Sequence, residues 1–357
     1  MLERQQKNVY NWKCQKNLIF GTSKKEKYAV EFGKRMGKIN EHSVFQMQDY
    51  FVWCGTMTKG DDGLYYLYFS FWPKADTFDL GWVTKSKIGY AVSDNPYGGF
   101  TYKGIALQGE NGWDRDSVHN PAVLKHNGKY YMYHMGNYGN GEYWDHRNHQ
   151  RIGVAVAEQP EGPWRHSEKP LIDVSQNGFD SLVTSNPSVT QGGDGRFYMI
   201  YKAVHNNGKL PKGGAVVCGI AVAEKPEGPF KKTGKPIMVN PENEWSVEDA
   251  FIWYENGMFY SLAKDFQGYF TQAGKKQVAL FRSENGLDWM LDEHPLAFTR
   301  ELHWEDGTIT PLRNMERPQI YVENGKPKVL LCACAQEETD TIAHTFNVQI
   351  PLFDAEV

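Results

Sequence analysis

The feature that most constrains this chain is a module that recurs along its length. The first half of each copy reads turn, Gly, aromatic-rich strand: GLYYLYFS from Gly63, GKYYMYHM from Gly128, GRFYMIYK from Gly195 and GMFYSLAK from Gly257, with a weaker fifth copy, GKPKVLLC, from Gly325. The second half reads strand and then turn: IGYAVSDNPYGGF from Ile88, IGVAVAEQPEGPW from Ile152, GIAVAEKPEGPF from Gly219, and a divergent VALFRSENGLDW from Val278. Self-similarity at a period of roughly 65 residues marks a closed array of supersecondary units.

Each module holds several short strands rich in Tyr, Phe, Val and Ile, separated by Asn-Gly, Asp-Gly and Pro-x-Gly turns. Nothing between the modules has the length and period of an amphipathic helix. One such unit is a small antiparallel sheet that cannot bury both faces alone. Ringing five of them around an axis buries the faces and leaves only short, protected edges. The even spacing of the copies favours this arrangement over a β-sandwich or two stacked β domains. The sequence therefore predicts an all-β fold, a five-bladed β-propeller over residues 42–357, preceded by a short N-terminal extension, 1–41. That extension reads as a cap on one propeller face, or else as an arm exchanged between the subunits of a homodimer.

In a propeller the innermost strand of every blade lines the central channel, so one segment per blade converges there. Here those segments precede the Gly-aromatic strands and read FQMQDYFVWCG, SVHNPAV, TSNPSV, SVEDAFI and NMERPQI. They offer Asp49 and Trp53 from blade one, His119 and Asn120 from blade two, Asn186 from blade three, Glu248 and Asp249 from blade four, and Glu316 and Arg317 from blade five. Hydrolysis of a glycosidic bond needs two carboxyl groups across a sugar, one to protonate the leaving oxygen and one to act on water or the anomeric carbon. A channel mouth can supply both from different blades. Several acids crowded there would raise the pKa of one, as a general acid requires near neutral pH.

At this point a resemblance is visible. NMERP, with Glu316 two residues before Pro318, resembles the Glu-x-Pro motif of glycoside hydrolase family 43, in which that Glu is the general acid. VEDAF resembles the preceding-blade motif of those enzymes, which implies that Asp249 tunes the acid's pKa and orients the sugar. Families 32, 68 and 117 share the architecture and the three-carboxylate logic. The runs WCG-x-M-x-KGDDG (Trp53 to Gly63), HNP-x-V, HRN-x-QRIGVAVA, TSNPSV and ERPQ are similar to those of uncharacterised family-43-like proteins, which bring no assigned substrate. One departure matters. Families 43 and 117 open a blade with Asp-Pro, whose Asp is base or nucleophile, and the matching place here is Asn120. An amide cannot accept the proton. Asp49 is the first replacement, followed by Asp114 and Asp116 in WDRDSVHNP.

Other polar residues fall near the same mouth. GEYWDHRNHQR, residues 141–151, reads as a non-helical loop that sets His146, Arg147, Asn148 and His149 beside Trp144, a mixture suited to sugar hydroxyls and stacking. Lys202 and Lys264 follow aromatic strands at matching places and add positive charge beside the acids, either for an acidic sugar or as partners of Asp249 and Glu316. His303 precedes blade five, where the family 117 resemblance implies a second candidate acid. No motif requires a metal or cofactor, although some relatives hold a structural ion in the channel.

Net charge is -4 with both signs mixed, so nothing points to nucleic acid or an anionic membrane surface. No stretch has the length and apolarity of a membrane span. The five cysteines, Cys14, Cys54, Cys218, Cys332 and Cys334, are odd in number and lack zinc-site spacing, and read as free thiols of a reducing compartment. MLERQQKNVYNWKCQKN is charged and polar, unlike a secretory signal. The expected location is cytoplasmic, or periplasmic if a leader has been removed. The leading functional expectation is an exo-acting glycoside hydrolase on an oligosaccharide. The alternatives are a propeller-type phosphorylase, such as family 130, and a non-catalytic carbohydrate-binding propeller.

Overall fold

The computed structural model describes residues 31–336 and 342–354. It is a five-bladed β-propeller. Blade one contains strands Tyr50–Lys59, Tyr65–Pro73, Lys87–Ser93 and Thr101–Leu107, ordered from the axis outward. Blades two, three and four repeat this plan from Ser117–His126, Val183–Gln191 and Val247–Glu255. All pairings within the blades are antiparallel. Blade five starts from Asn314–Glu323, but its outermost strand, Val44–Phe45, comes from the other end of the chain. Val44 pairs with Val348 and Phe45 with Asn347, which closes the ring. The first strand of each blade touches those of both neighbours in an unbroken circuit.

The aromatic-rich second strands are nearly continuous apolar runs because both of their faces are covered. In blade one, Leu67, Phe69 and Phe71 pack with Tyr321, Val329 and Leu331 of blade five. Tyr66 and Tyr68, on the opposite face, pack with Tyr130 and Met132 of blade two. Five such clusters occupy the five interfaces between blades and form the core. A buried Tyr must still satisfy its hydroxyl. Tyr68 Oη donates to the carbonyl of Pro160 (2.5 Å) and Tyr133 Oη to that of Pro226 (2.7 Å). Each hydroxyl thus reaches the Pro-Glu-Gly turn of the following blade, tying the two repeated halves of the module together.

Residues 31–41 lie against blades four and five. A 3-10 turn, Phe32–Arg35, seats the fully buried Phe32 against Trp253 and Phe298, with ring centroids 6.0 and 6.2 Å away. Arg35 donates from both terminal nitrogens to Glu255, at 3.1 and 3.2 Å. Most of the stretch read as a cap or exchanged arm, residues 1–30, lies outside the described residues, as does Cys14. The other four cysteines are free and buried. Among the described residues no helix is long and apolar enough to cross a membrane.

Two short helices interrupt the strand pattern, Phe78–Thr84 and Tyr143–Asn148. The second corrects the expectation of a non-helical loop around Arg147. Asp145 lies in its first turn, and His146 and Arg147 in its last, signs that suit the helix dipole. So short a helix leaves no periodic trace. Both His146 nitrogens are engaged: Nδ1 lies 2.8 Å from Asn137 Oδ1, and Nε2 accepts from the Gly141 N–H at 3.1 Å.

Emptying the Phe32 site leaves a cavity among aromatic rings. Phe32→Ala should cost about 3–5 kcal/mol in urea unfolding. An unchanged midpoint would show that residues 31–41 are not part of the packed fold.

Candidate functional site

All five inner strands carry the same irregularity at the same place. Pairing with the second strand slips between Trp53 and Thr56, His119 and Ala122, Ser185 and Ser188, Glu248 and Phe251, and Glu316 and Gln319. At each bulge one residue takes a left-handed backbone: Cys54, Asn120, Asn186, Asp249 and Arg317, with φ between 50° and 58°. Asn and Asp tolerate this conformation better than most side chains. In three blades the next residue is proline, Pro121, Pro187 or Pro318, which has no N–H to lose where the ladder is already broken.

The bulges turn these five side chains to the axis, where they join into a ring. Cys54 Sγ donates to Asn120 Oδ1 (2.7 Å), Asn120 Nδ2 to Asn186 Oδ1 (2.6 Å), and Asn186 Nδ2 to Asp249 Oδ1 (2.9 Å). Arg317 Nη1 meets the same Asp249 oxygen at 3.4 Å. Arg317 is 3% exposed, and its Nε and Nη2 have no hydrogen-bond partner.

In four blades the residue just before the bulge, Trp53, His119, Glu248 or Glu316, faces a cavity of about 370 Å³ whose floor includes ring members. Its wall is aromatic on blades one and two, where it includes Trp53, Trp72, Trp82, Tyr143 and Trp144. His119 lies between Trp72 and Trp82, with centroids 5.5 and 5.3 Å away, and its Nδ1 is 2.8 Å from Ser86 Oγ. Burial, followed by the nearby Arg317 charge, pushes the His119 pKa well below its ordinary value, so this imidazole is neutral.

Opposite lie the carboxylates. Lys264 Nζ stands 3.1 Å from Glu248 Oε2, 3.2 Å from Asp249 Oδ2 and 3.2 Å from Glu316 Oε2. Because one nitrogen touches all three, no two of these oxygens can be further apart than twice that length. Lys202 binds the other oxygen of Glu248, and Asn314 Nδ2 donates to Glu316 Oε1 at 2.7 Å. Burial alone would raise the Glu248 pKa, but the two lysines override it and hold the carboxyl well below the usual range. Burial would likewise lower the Lys264 pKa, and the surrounding carboxylates push it well above normal. Three carboxylates are therefore matched by Lys202, Lys264 and Arg317. At Glu248 the effect of the two lysines outweighs that of the neighbouring acids.

The structure gathers most of the sequence candidates into this cavity: Trp53, His119, Asn120, Arg147, Asn186, Lys202, Glu248, Asp249, Lys264, Glu316 and Arg317. Asn148 supports from behind, accepting from Arg147 Nη1 at 2.9 Å. Asp49 and Asp116 are absent from the wall. Asp49 is an exposed residue just before the first strand, and Asp116 accepts from the Gly139 N–H (2.8 Å). Neither is placed to act as base on a sugar seated here. Asp114 is fully buried elsewhere in blade two, and His303 is exposed on the hairpin of Glu301–His303 and Ile309–Pro311. Trp82, Tyr143 and Asn314 were missed. The two aromatics stand on or beside short helices with no period, and Asn314 lies two residues from Glu316, in the segment already singled out.

No protein-family model matches the chain. A xylosidase/arabinosidase of Bacteroides ovatus is 26% identical over 249 residues, spanning 64% of this chain and 70% of that protein. A family 117 glycoside hydrolase from the marine bacterium Zobellia galactanivorans superposes with a TM-score of 0.62 at 19% identity, covering 90% of this chain and 91% of the other. A thermostable family-43 glycoside hydrolase superposes with a TM-score of 0.61 at 17% identity, covering 90% and 94%. The solved structures that share this fold thus include both families whose motifs the sequence resembles.

Removing Lys264 strands buried charge. Lys264→Met should cost about 3–5 kcal/mol at neutral pH. The depressed Glu248 pKa contributes stability above the unfolded value near 4.5, which is lost as pH falls toward the folded value. The gap between wild type and variant should therefore narrow in acid denaturation series below that pH. A gap independent of pH would show that Lys264 acts by packing alone.

Proposed function

We propose that the chain is an exo-acting glycoside hydrolase that removes a terminal sugar from an oligosaccharide. The observation that carries this reading is the meeting of Glu316 and Asp249, from matching bulges of consecutive blades, at one cavity with aromatic walls. Aromatic faces suit sugar rings, and the volume falls within the ~300–1,000 Å³ of small-molecule sites. The side-chain ring lies across the axis beneath, so the cavity favours a chain end over a continuous polymer.

In this reading Glu316 is the general acid. Its proton goes to the leaving glycosidic oxygen, and Asn314 holds the carboxyl plane. Asp249, tied into the ring by Asn186 and Arg317, orients the sugar and modulates Glu316 through the shared Lys264. Asn120 occupies the place of the usual base and serves as a hydrogen-bonding residue. Glu248 is the remaining carboxylate in reach, and Lys202 and Lys264 keep it ionised. An ionised carboxylate can stabilise a developing oxocarbenium charge or direct water at the anomeric carbon. The similarity to a xylosidase/arabinosidase makes oligosaccharides ending in xylose or arabinose the first to screen.

Phosphorolysis is the second reading, favoured by Asn120 and by the two unpartnered nitrogens of Arg317. Phosphate would then replace the base, and one acid would suffice. Turnover in phosphate-free buffer decides between the two: the hydrolase needs no phosphate, and the phosphorylase stops without it. In either case Glu316→Gln should lower kcat by about 10²-fold or more, with binding retained. Undiminished turnover by that variant would remove Glu316 from the chemistry.

A further inference from the structure

A second cluster of ionisable side chains lies in blade two, and none of its members lines the sugar cavity. Asp114 and His134 are fully buried, and the His166 side chain is 4% exposed. Asp114 Oδ2 is 3.3 Å from His166 Nδ1 and 3.7 Å from His134 Nε2, and one donor atom from each residue falls within 4.8 Å of the others. The chain around them is shaped to hold this arrangement. Trp113 and Asp114 lie flat on Gly136 and Gly153, where a Cβ would come within 2.4 Å of Asp114 or 2.3 Å of Trp113. Trp113 stacks on the His134 ring at 5.7 Å and 26°.

The contacts leave one converging atom, His134 Nε2, without a hydrogen-bond partner, while His166 Nδ1 lies within hydrogen-bond distance of Asp114 Oδ2 at 3.3 Å. Asp114 Oδ1 accepts the N–H groups of Asn111 (2.7 Å) and Glu110 (3.3 Å), which turns Oδ2 toward the histidines. His134 Nδ1 faces the Met132 carbonyl at 3.4 Å, an acceptor for the tautomer that carries its proton on that nitrogen. Its Nε2 then points a lone pair at the Asp114 carboxylate, buried and without a hydrogen-bond partner. A lone pair facing a carboxylate repels it unless a cation lies between them. On His166 the outer nitrogen, Nε2, faces Glu110 Oε1 at 3.9 Å and Nδ1 turns to Asp114 Oδ2 at 3.3 Å, a contact that a bound ion would replace. Metal-bound imidazoles characteristically place the distal N–H against a carbonyl or carboxylate.

We propose that Asp114, His134 and His166 bind a divalent transition-metal ion of the zinc class, separate from the sugar site. Tetrahedral bonds of ~2.0–2.2 Å set neighbouring donor atoms about 3.3–3.6 Å apart, close to the two distances found here. Two imidazoles and one carboxylate suit zinc better than the all-oxygen shells of calcium or magnesium. The ion would pin residues 110–116, the link from blade one to the inner strand that carries His119 and Asn120, onto the middle and outer strands of blade two.

The test uses the full chain without an affinity tag. Metal-free protein is titrated with Zn²⁺ by calorimetry and with Co²⁺ by visible absorption, and bound metal is measured by mass spectrometry after dialysis. We expect one equivalent of Zn²⁺ retained per chain, and Co²⁺ bands that saturate at one equivalent. Both should be lost in His134→Gln and His166→Asn variants whose circular dichroism matches wild type. No stoichiometric uptake by wild type would overturn the proposal, whether or not the variants fold. Uptake that survives both substitutions would overturn it as well, by placing the ion elsewhere.

Discussion

The fold and the site share one constraint, a backbone that changes hand once in every inner strand. Each strand is regular until a single left-handed residue breaks its ladder and aims a side chain at the axis. Left-handed backbone is costly for a residue such as Arg317 or Cys54, and the cost is met by what the five side chains do together. Thiol, two amides, carboxylate and one nitrogen of the guanidinium are linked around the axis. In four of the five blades the residue immediately before is thereby placed at the cavity. Glu248 and Glu316 occupy the same step of the same bulge in adjacent blades, so their proximity follows from the repeat.

Charge balance is the second constraint. Three carboxylates in so small a volume would not all stay ionised unaided, and Lys264 makes the arrangement tenable by touching each of them. A lysine so placed is more than an adornment of the acids. It holds three acidic side chains together at one point. Glu248 is gripped by two lysines and stays ionised, whereas Glu316 shares only one and receives a neutral amide donor on its other oxygen. Unequal environments for neighbouring carboxyls are the usual way one site obtains different acid–base roles.

The architecture was legible because it is periodic. Five Gly-aromatic strands at even spacing imply five equal units, and the turn residues between them mark the strand ends. The cavity was legible for the same reason, since equivalent positions must meet near an axis. What the repeat could not disclose is what breaks it. The helices Phe78–Thr84 and Tyr143–Asn148 occur once each and are too short for a hydrophobic period, so the aromatic wall they bring was invisible. Asp49 and Asp116 lie several residues upstream of their bulges, and neither lines the cavity. The cluster of Asp114, His134 and His166 was hidden because its members come from a loop and two strands of one blade, at spacings that match no metal motif.

The strand that completes blade five has a consequence for how the protein is made. Residues 44–45 leave the ribosome well before their partner strand, residues 345–351. Until then the first residues of the propeller have no neighbour, and the blade bearing Glu316 lacks its outer edge. Earlier blades can stack as they emerge, but blade five, which carries Glu316, gains its outer edge only after residues 345–351 are made. A nascent chain therefore cannot close its ring of blades until both of these segments are present.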